Sequence, residues 1–110
     1  MLVSSFLNLQ ATVDWLNAQA PADLILVCAG TFEEAALEDT LAAGALADQV
    51  WPRFATGHLT DAAVIARQLW RTSNNDLAKA MQEARNGRRL LANPDLRDDV
   101  AFCLRHNTAP

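Results

Sequence analysis

Residues 24–40 carry the sequence LILVCAGTFEEAALEDT, in which an apolar run meets a small-residue turn and then a helical pattern. The run at residues 24–29 is apolar at consecutive positions, which predicts a strand covered on both faces. Such strands are typical of parallel sheets with helices packed above and below. In open sheets of this class, ligands bind beyond the carboxyl ends of the strands. The turn at residues 28–31 and the acidic pair Glu38 and Asp39 are therefore the predicted functional site.

Length and composition limit what can surround this site. The chain has 110 residues, 51% of them hydrophobic and 20% charged, which predicts one globular domain spanning residues 1–110. The longest apolar run is far shorter than a membrane span, and the N-terminus lacks the pattern of a signal peptide, so we expect a cytoplasmic protein with no membrane partner. The formal charge of −4 and the absence of a basic run argue against a nucleic-acid partner. Two cysteines are too few for a disulfide framework, so we expect both to be reduced.

The N-terminal part of the chain predicts a strand, a helix and a second strand. Residues 1–4 are consistent with the end of a strand, and residues 24–28 form the second one. Between them, apolar residues recur at the helical spacing of three and four, at Phe6, Leu9, Val13 and Leu16. The predicted fold class is therefore α/β, a partial α/β/α layered domain built on a parallel βαβ unit, with a helix-rich C-terminal part. In this arrangement, Ser5 and Asn8 would lie on the same sheet edge as Cys28, Gly30 and Thr31.

The rest of the chain predicts four more helices. The second runs from Ala35 to about Val50, ends at Trp51 and Pro52, and carries Gly44 for close packing on the sheet. The later helices are predicted from a Thr60 cap to about Trp70, from Leu77 to Asn86 and Gly87, and from Asn93 and Pro94 onward, followed by a frayed tail at residues 106–110.

Two strands leave the edge of an apolar sheet uncovered. Isolated two-stranded sheets are marginally stable, and an uncovered apolar edge invites pairing with another chain. We therefore expect the missing coverage to come from a second copy of this chain, as a homodimer, or from a missing portion of a larger protein.

Several short motifs resemble the 2-phosphosulfolactate phosphatase family. The central match is LVCAGT at residues 26–31, followed by LEDTL at 37–41 and AGA at 43–45. Further motifs agree in the right order, namely SFLN at 5–8, DAA at 61–63, GRRL at 87–90 and DVAFC at 99–103. The resemblance covers nearly the whole chain but only the C-terminal half of the family, and residues 32–36 depart from the family pattern. The missing part would be a separate N-terminal half.

The resemblance implies Mg²⁺-dependent hydrolysis of 2-phospho-3-sulfolactate to 3-sulfolactate and phosphate, a step toward coenzyme M in methanogens. Its substrate would be a small, anionic, phosphorylated molecule. Carboxylates are suitable ligands for Mg²⁺, so Glu38 and Asp39 are the candidate catalytic and metal-binding residues. Both could instead be the acidic first turn of a helix, favoured by the helix macrodipole. Adjacent helical positions diverge by about 100°, so we expect only one of the two to face the site.

The candidate substrate-binding residues are polar or small. They are Ser5, Asn8, Cys28, Gly30, Thr31 and Arg88. The backbone N–H groups of Gly30 and Thr31 could bind an anion. The arginine cluster of Arg85, Arg88 and Arg89 could hold a phosphate or sulfonate.

Each of these candidates has a structural alternative. Ser5 and Asn8 could cap the first helix, and the arginines could be a solvated helix end. Cys28 could be a buried small residue; a nucleophilic role would require an arginine-containing anion loop that this turn lacks. His58 and His106 have no second ligand at zinc spacing. For the whole chain, the alternative to a phosphatase is a non-catalytic fragment or interaction module that packs on a partner.

Overall fold

The computed structural model describes residues 1–110, and its regular structure is almost entirely helical. A short 3₁₀ helix at Phe6–Asn8 leads into the first of six α-helices. Their bounds are α1 Leu9–Gln19, α2 Leu37–Phe54, α3 Asp61–Ser73, α4 Leu77–Glu83, α5 Arg85–Leu91 and α6 Arg97–Cys103. No helix is both long enough and apolar enough to cross a membrane.

The predicted α/β fold is wrong, because the chain contains no β-sheet. Its only β-type contact is an isolated antiparallel bridge between Thr31 and Glu34. Residues 24–29 lie outside every helix and strand, and their backbone groups form no hydrogen bond within the chain. Without paired strands, there is no parallel βαβ unit and no layered α/β/α domain.

The apolar run is covered on one side only, which explains the error. Leu24 and Leu26 pack against the core, whereas the side chains between and after them, Ile25 and Val27, are 83% and 87% exposed. This alternation from one residue to the next is that of an extended segment, in which successive side chains point to opposite sides. An apolar residue at every position predicts two covered faces, but this chain supplies a cover for only one.

The core lies between α1, α2 and the C-terminal helices. The helical stripe predicted for the first helix is confirmed, since Phe6, Leu9, Val13 and Leu16 are each at most 5% exposed. From α2, Leu41 at 0% exposure joins the same cluster. Burying one such aliphatic side chain stabilises a fold by about 1.5–3 kcal/mol. Further cluster members come from the C-terminal helices, namely Ala80, Met81 and Val100, and from Ala84 between α4 and α5.

Helices α2 and α3 pack closely because a glycine lies at their contact. A Cβ atom placed on Gly44 would lie 2.1 Å from the carbonyl oxygen of Ala66 and 2.9 Å from the Cβ of Trp70. The close packing predicted for Gly44 is therefore present, but against α3 instead of a sheet. Beside it, Arg67 of α3 pairs with Asp48 at 2.7 Å.

Several helix boundaries differ from the prediction, including the start of the last helix, which is Arg97 instead of Asn93 and Pro94. Helix α2 continues through Pro52 to Phe54, so Trp51 and Pro52 do not end it. The predicted fourth helix is two helices, because Ala84 has an extended backbone with φ −70° and ψ 138°. This break starts α5 at Arg85 and turns its first residues in a new direction. The cap predicted at Thr60 is confirmed, since its side chain accepts a hydrogen bond from the Ala63 N–H.

The C-terminal tail is docked on the start of α1, contrary to the predicted fraying. The N–H of Asn107 donates to the carbonyl of Phe6 at 3.0 Å, and its side-chain oxygen accepts from the N–H of Gln10 at 2.8 Å. The ring of His106 lies 5.1 Å from that of Phe6 and 5.8 Å from that of Trp70. The C-terminal tail therefore packs against the N-terminal part of the chain.

Candidate functional site

The turn after the apolar run is a tight reversal held by its own backbone. The N–H of Thr31 donates to the carbonyl of Glu34 at 2.9 Å, and the N–H of Glu34 donates back at 3.1 Å. The two residues between them, Phe32 and Glu33, have φ values of 52° and 62°, as in type I′ hairpin turns. Residues other than glycine, asparagine and aspartate seldom adopt positive φ values. Contacts with the surrounding residues must therefore stabilise this turn.

Asp39 connects this turn to the first turn of α2. Its Oδ2 accepts a hydrogen bond from the N–H of Gly30 at 2.7 Å. Its backbone carbonyl lies 3.5 Å from the sulfur of Cys28, which donates to it. Three of the predicted site residues are thus brought together, and the Gly30 N–H is already engaged by a carboxylate.

Glu38 connects the same region to the start of α5. Its Oε1 accepts from the side-chain amide of Asn86 at 2.7 Å, and the same amide nitrogen donates to the hydroxyl of Thr31 at 2.7 Å. Arg85, next to Asn86, donates to the carbonyl of Thr31 at 3.2 Å and forms an ion pair with Glu34. Glu38 and Asp39 therefore both face the turn, each held by a different donor, so the expectation that only one of them faces the site is wrong.

No sequence pattern singled out Asn86 as a site residue. It lies 48 positions from Glu38 and 55 from Thr31, and the predicted fourth helix ended at this residue. The only available signal was its place beside the arginine cluster.

The three clustered arginines lie in different surroundings. Arg85 contacts the turn, and the guanidinium of Arg89 lies 5.9 Å from the ring centre of Phe32. Arg88, the predicted anion-binding residue, instead donates to the carbonyl of Glu83 at the end of α4.

Ser5 and Asn8 form a local turn with each other. The N–H of Ser5 donates to Oδ1 of Asn8 at 2.8 Å, and the Asn8 amide donates to the carbonyl of Val3 at 3.1 Å. These contacts correspond to the helix-start alternative, and no hydrogen bond joins either side chain to the turn at residues 30–34.

Two cavities border the segment before the turn and share Cys28 and Ala29 in their walls. The larger, of about 360 Å³, is mostly apolar, with Asp39 as its one charged residue. It lies between residues 2–4, the extended run and the helices α1 and α2. The second, of about 320 Å³, is lined by the turn and the start of α2, including Glu33, Glu34 and Thr40.

A family model described as 2-phosphosulpholactate phosphatase matches residues 1–110, the entire chain. The chain belongs to this family.

Curated relatives carry the name "Probable 2-phosphosulfolactate phosphatase". The protein from Thermotoga maritima is 32% identical over 103 residues, covering 94% of this chain and 42% of the relative. The Thermotoga petrophila protein is 34% identical with the same coverage. The Symbiobacterium thermophilum protein is 30% identical and covers 96% of this chain and 45% of its own length. The chain thus spans less than half the length of these 2-phosphosulfolactate phosphatase relatives.

The thiol of Cys28 in this family member is exposed, so the alternative that it is a buried small residue is wrong. Partial burial, and then the nearby negative charge of Asp39, raise the pKa of Cys28 above its ordinary value. Both effects disfavour the thiolate, which is the nucleophilic form.

We expect Cys28 to react slowly with iodoacetamide at neutral pH. In a Cys103→Ala variant, whose only thiol is Cys28, the alkylation rate should rise at a higher pH than that of N-acetylcysteine amide, a reference without a carboxylate, because a raised pKa delays formation of the thiolate. Asp39→Asn should shift the midpoint toward lower pH by removing the charge. A midpoint at or below that of N-acetylcysteine amide would contradict the arrangement.

The carboxylates fit part of a magnesium shell. Glu38 and Asp39 each use one oxygen for the hydrogen bonds described above and keep a second oxygen without a protein donor. No group of three or more His, Cys, Asp and Glu side chains is placed to hold a metal ion. Mg²⁺ usually binds through one or two carboxylates together with water and phosphate, so these two residues suit that mode when other groups complete the shell.

Proposed function

We propose that this chain takes part in the Mg²⁺-dependent hydrolysis of a phosphate monoester, 2-phospho-3-sulfolactate, to 3-sulfolactate and phosphate. The family match over residues 1–110 carries this proposal, and the names of the relatives support it. Because the chain spans less than half of those relatives, we propose that an N-terminal half completes the site. A homodimer is the other way in which further groups could be supplied.

Glu38 and Asp39 are the proposed metal-binding and catalytic residues. A phosphate monoester brings about two negative charges near two carboxylates, so binding requires a compensating charge. Bound Mg²⁺ would neutralise phosphate charge and stabilise the leaving oxygen. The free oxygens of the two carboxylates would hold the ion, and one of them could accept a proton from the attacking water.

The start of α2 supports anion binding at this place. Ala36 is the N-cap residue of α2 and has no side chain that could accept a hydrogen bond, so the N–H groups of the first turn have no side-chain acceptor. Such groups, together with the helix dipole, favour a phosphate. Asn86 and Arg85 would act as positioning residues, because they hold Glu38 and the turn beside this helix start.

The alternative is a non-catalytic interaction module. Two observations favour it: the chain has no complete set of metal-binding side chains, and an apolar extended segment is exposed. The two candidates differ in whether phosphate release can be obtained when the remaining polypeptide is supplied.

Phosphate release tests the proposed reaction. The chain is mixed with the part of the Thermotoga maritima relative that lies outside the matched region, and inorganic phosphate is measured with 2-phosphosulfolactate as substrate. We expect activity that EDTA abolishes and that Asp39→Asn or Glu38→Gln lowers about 10- to 100-fold, in the range found when groups that hold or support a metal are changed.

Cys28→Ala tests a nucleophilic role for this thiol, which lies beside Asp39 in the site. Because the surroundings of Cys28 disfavour the thiolate, we expect this variant to retain phosphate release. Activity that survives EDTA and both carboxylate changes but disappears in Cys28→Ala would reject the metal assignment. A folded mixture with no phosphate release would favour the interaction module.

A further inference from the structure

We propose that the extended segment at residues 24–29 is a docking surface for an extended stretch of the polypeptide that the family relatives carry outside the matched region. The inference rests on the proposed function only in its choice of partner. The proposal is that the segment forms main-chain hydrogen bonds with a second polypeptide, because it forms none within this chain.

The backbone of this segment is available for pairing. No N–H or C=O group from Leu24 to Ala29 makes a hydrogen bond within the chain. A row of alternating free donors and acceptors on an extended segment is the surface to which another extended peptide can bind through its main chain. The next N–H along the chain, that of Gly30, is held by Asp39, which fixes the end of the available row.

The side chains of this segment add an apolar contact. Ile25 and Val27 are 83% and 87% exposed, and both are β-branched residues that favour extended structure. Leu24 and Leu26 pack against the core, so the face opposite Ile25 and Val27 holds the segment on the domain. No charged residue lies between Asp23 and Glu33. The fitting partner is therefore an extended, predominantly apolar stretch.

The larger cavity extends the same surface. It separates the segment from residues 2–4, where Val3 is 83% exposed. The cavity has a volume of about 360 Å³ and mostly apolar walls, so it could receive apolar side chains of the docked polypeptide.

The relatives' length favours that polypeptide over a second copy of this chain. The Thermotoga maritima relative is matched over 42% of its length, so more than half of it has no counterpart here. Two copies of this chain would each bring a formal charge of −4, with Asp23 and Glu33 flanking each segment. Repulsion between like charges disfavours that pairing.

Hydrogen exchange and light scattering test the docking. The probe is the unmatched part of the Thermotoga maritima relative, expressed as a separate polypeptide. Upon mixing, we expect a one-to-one complex and amide exchange at residues 24–29 that slows by about tenfold or more.

Substitutions on the exposed side chains test the location. The double change Ile25→Lys and Val27→Lys should weaken the complex by about tenfold or more without altering the unfolding of the chain alone, since both side chains lie in water there. The control Ile65→Lys, at a residue of α3 that is 64% exposed, should leave the affinity unchanged.

Three results would overturn the proposal. They are no complex at about 100 μM of each polypeptide, a complex whose residues 24–29 exchange as before, and concentration-dependent protection of these residues in the chain alone, which would identify a second copy as the occupant. The measurements use no substrate. A protected complex that releases no phosphate would therefore reject the proposed reaction and leave the docking intact.

Discussion

Gly44→Ala is expected to lower the free energy of unfolding by about 3 kcal/mol, at the upper end of what overpacking a tight contact costs. The added Cβ would lie 2.1 Å from the carbonyl oxygen of Ala66 and 2.7 Å from its carbonyl carbon. These are backbone atoms, so α2 and α3 must separate to admit the methyl group. The gain from replacing a helical glycine by alanine is only about 1 kcal/mol, so the clash decides the sign.

Chemical denaturation measures this effect, and Gly57→Ala is its control. A Cβ on Gly57 would lie 3.4 Å from the carbonyl oxygen of Phe54, an ordinary contact, so we expect a change within about 0.5 kcal/mol. An unchanged midpoint for Gly44→Ala would mean that the two helices do not approach as described.

Gly30→Val is expected to destabilise the turn by about 2–3 kcal/mol. Gly30 has φ +70°, where a β-branched residue is strongly disfavoured, and a Cβ there would lie 2.6 Å from the carbonyl oxygen of Glu34. Relieving this contact would move the Gly30 N–H away from the carboxylate of Asp39. The substitution should therefore disturb the predicted site as well as the fold.

Two measurements separate these effects. Thermal unfolding reports stability, and amide NMR shifts of Thr31, Glu34 and Asp39 report the turn. The control Gly57→Val lies in an exposed bend without a positive φ and should move neither. Equal losses of stability in Gly30→Val and Gly57→Val would show that the positive φ of Gly30 is not required for the turn.

The helices could largely be predicted from local patterns. The stripe at Phe6, Leu9, Val13 and Leu16 repeats every three to four residues, and all four side chains are buried. The Thr60 cap depends only on residues within one helical turn. The break at Ala84 could not be predicted in this way, because no proline or glycine marks it and the direction of α5 depends on its tertiary contacts.

The candidate site could be predicted only in part. The turn at residues 28–31 and the pair Glu38 and Asp39 are close in sequence, and the structure brings them together. Asn86 could not be inferred, because its contacts join residues far apart along the chain.

The helical stripes, the local caps and the family to which the chain belongs can be inferred from residue types at short, fixed spacings along the chain. Tertiary packing, in contrast, sets whether the apolar run at residues 24–29 is paired, what packs against Gly44 and which donors hold Glu38 and Asp39. An apolar residue favours burial but does not specify its cover. Which side chains are buried depends on the surfaces that the rest of the chain places beside them. In this fold Leu26 packs against the core and Val27 remains exposed.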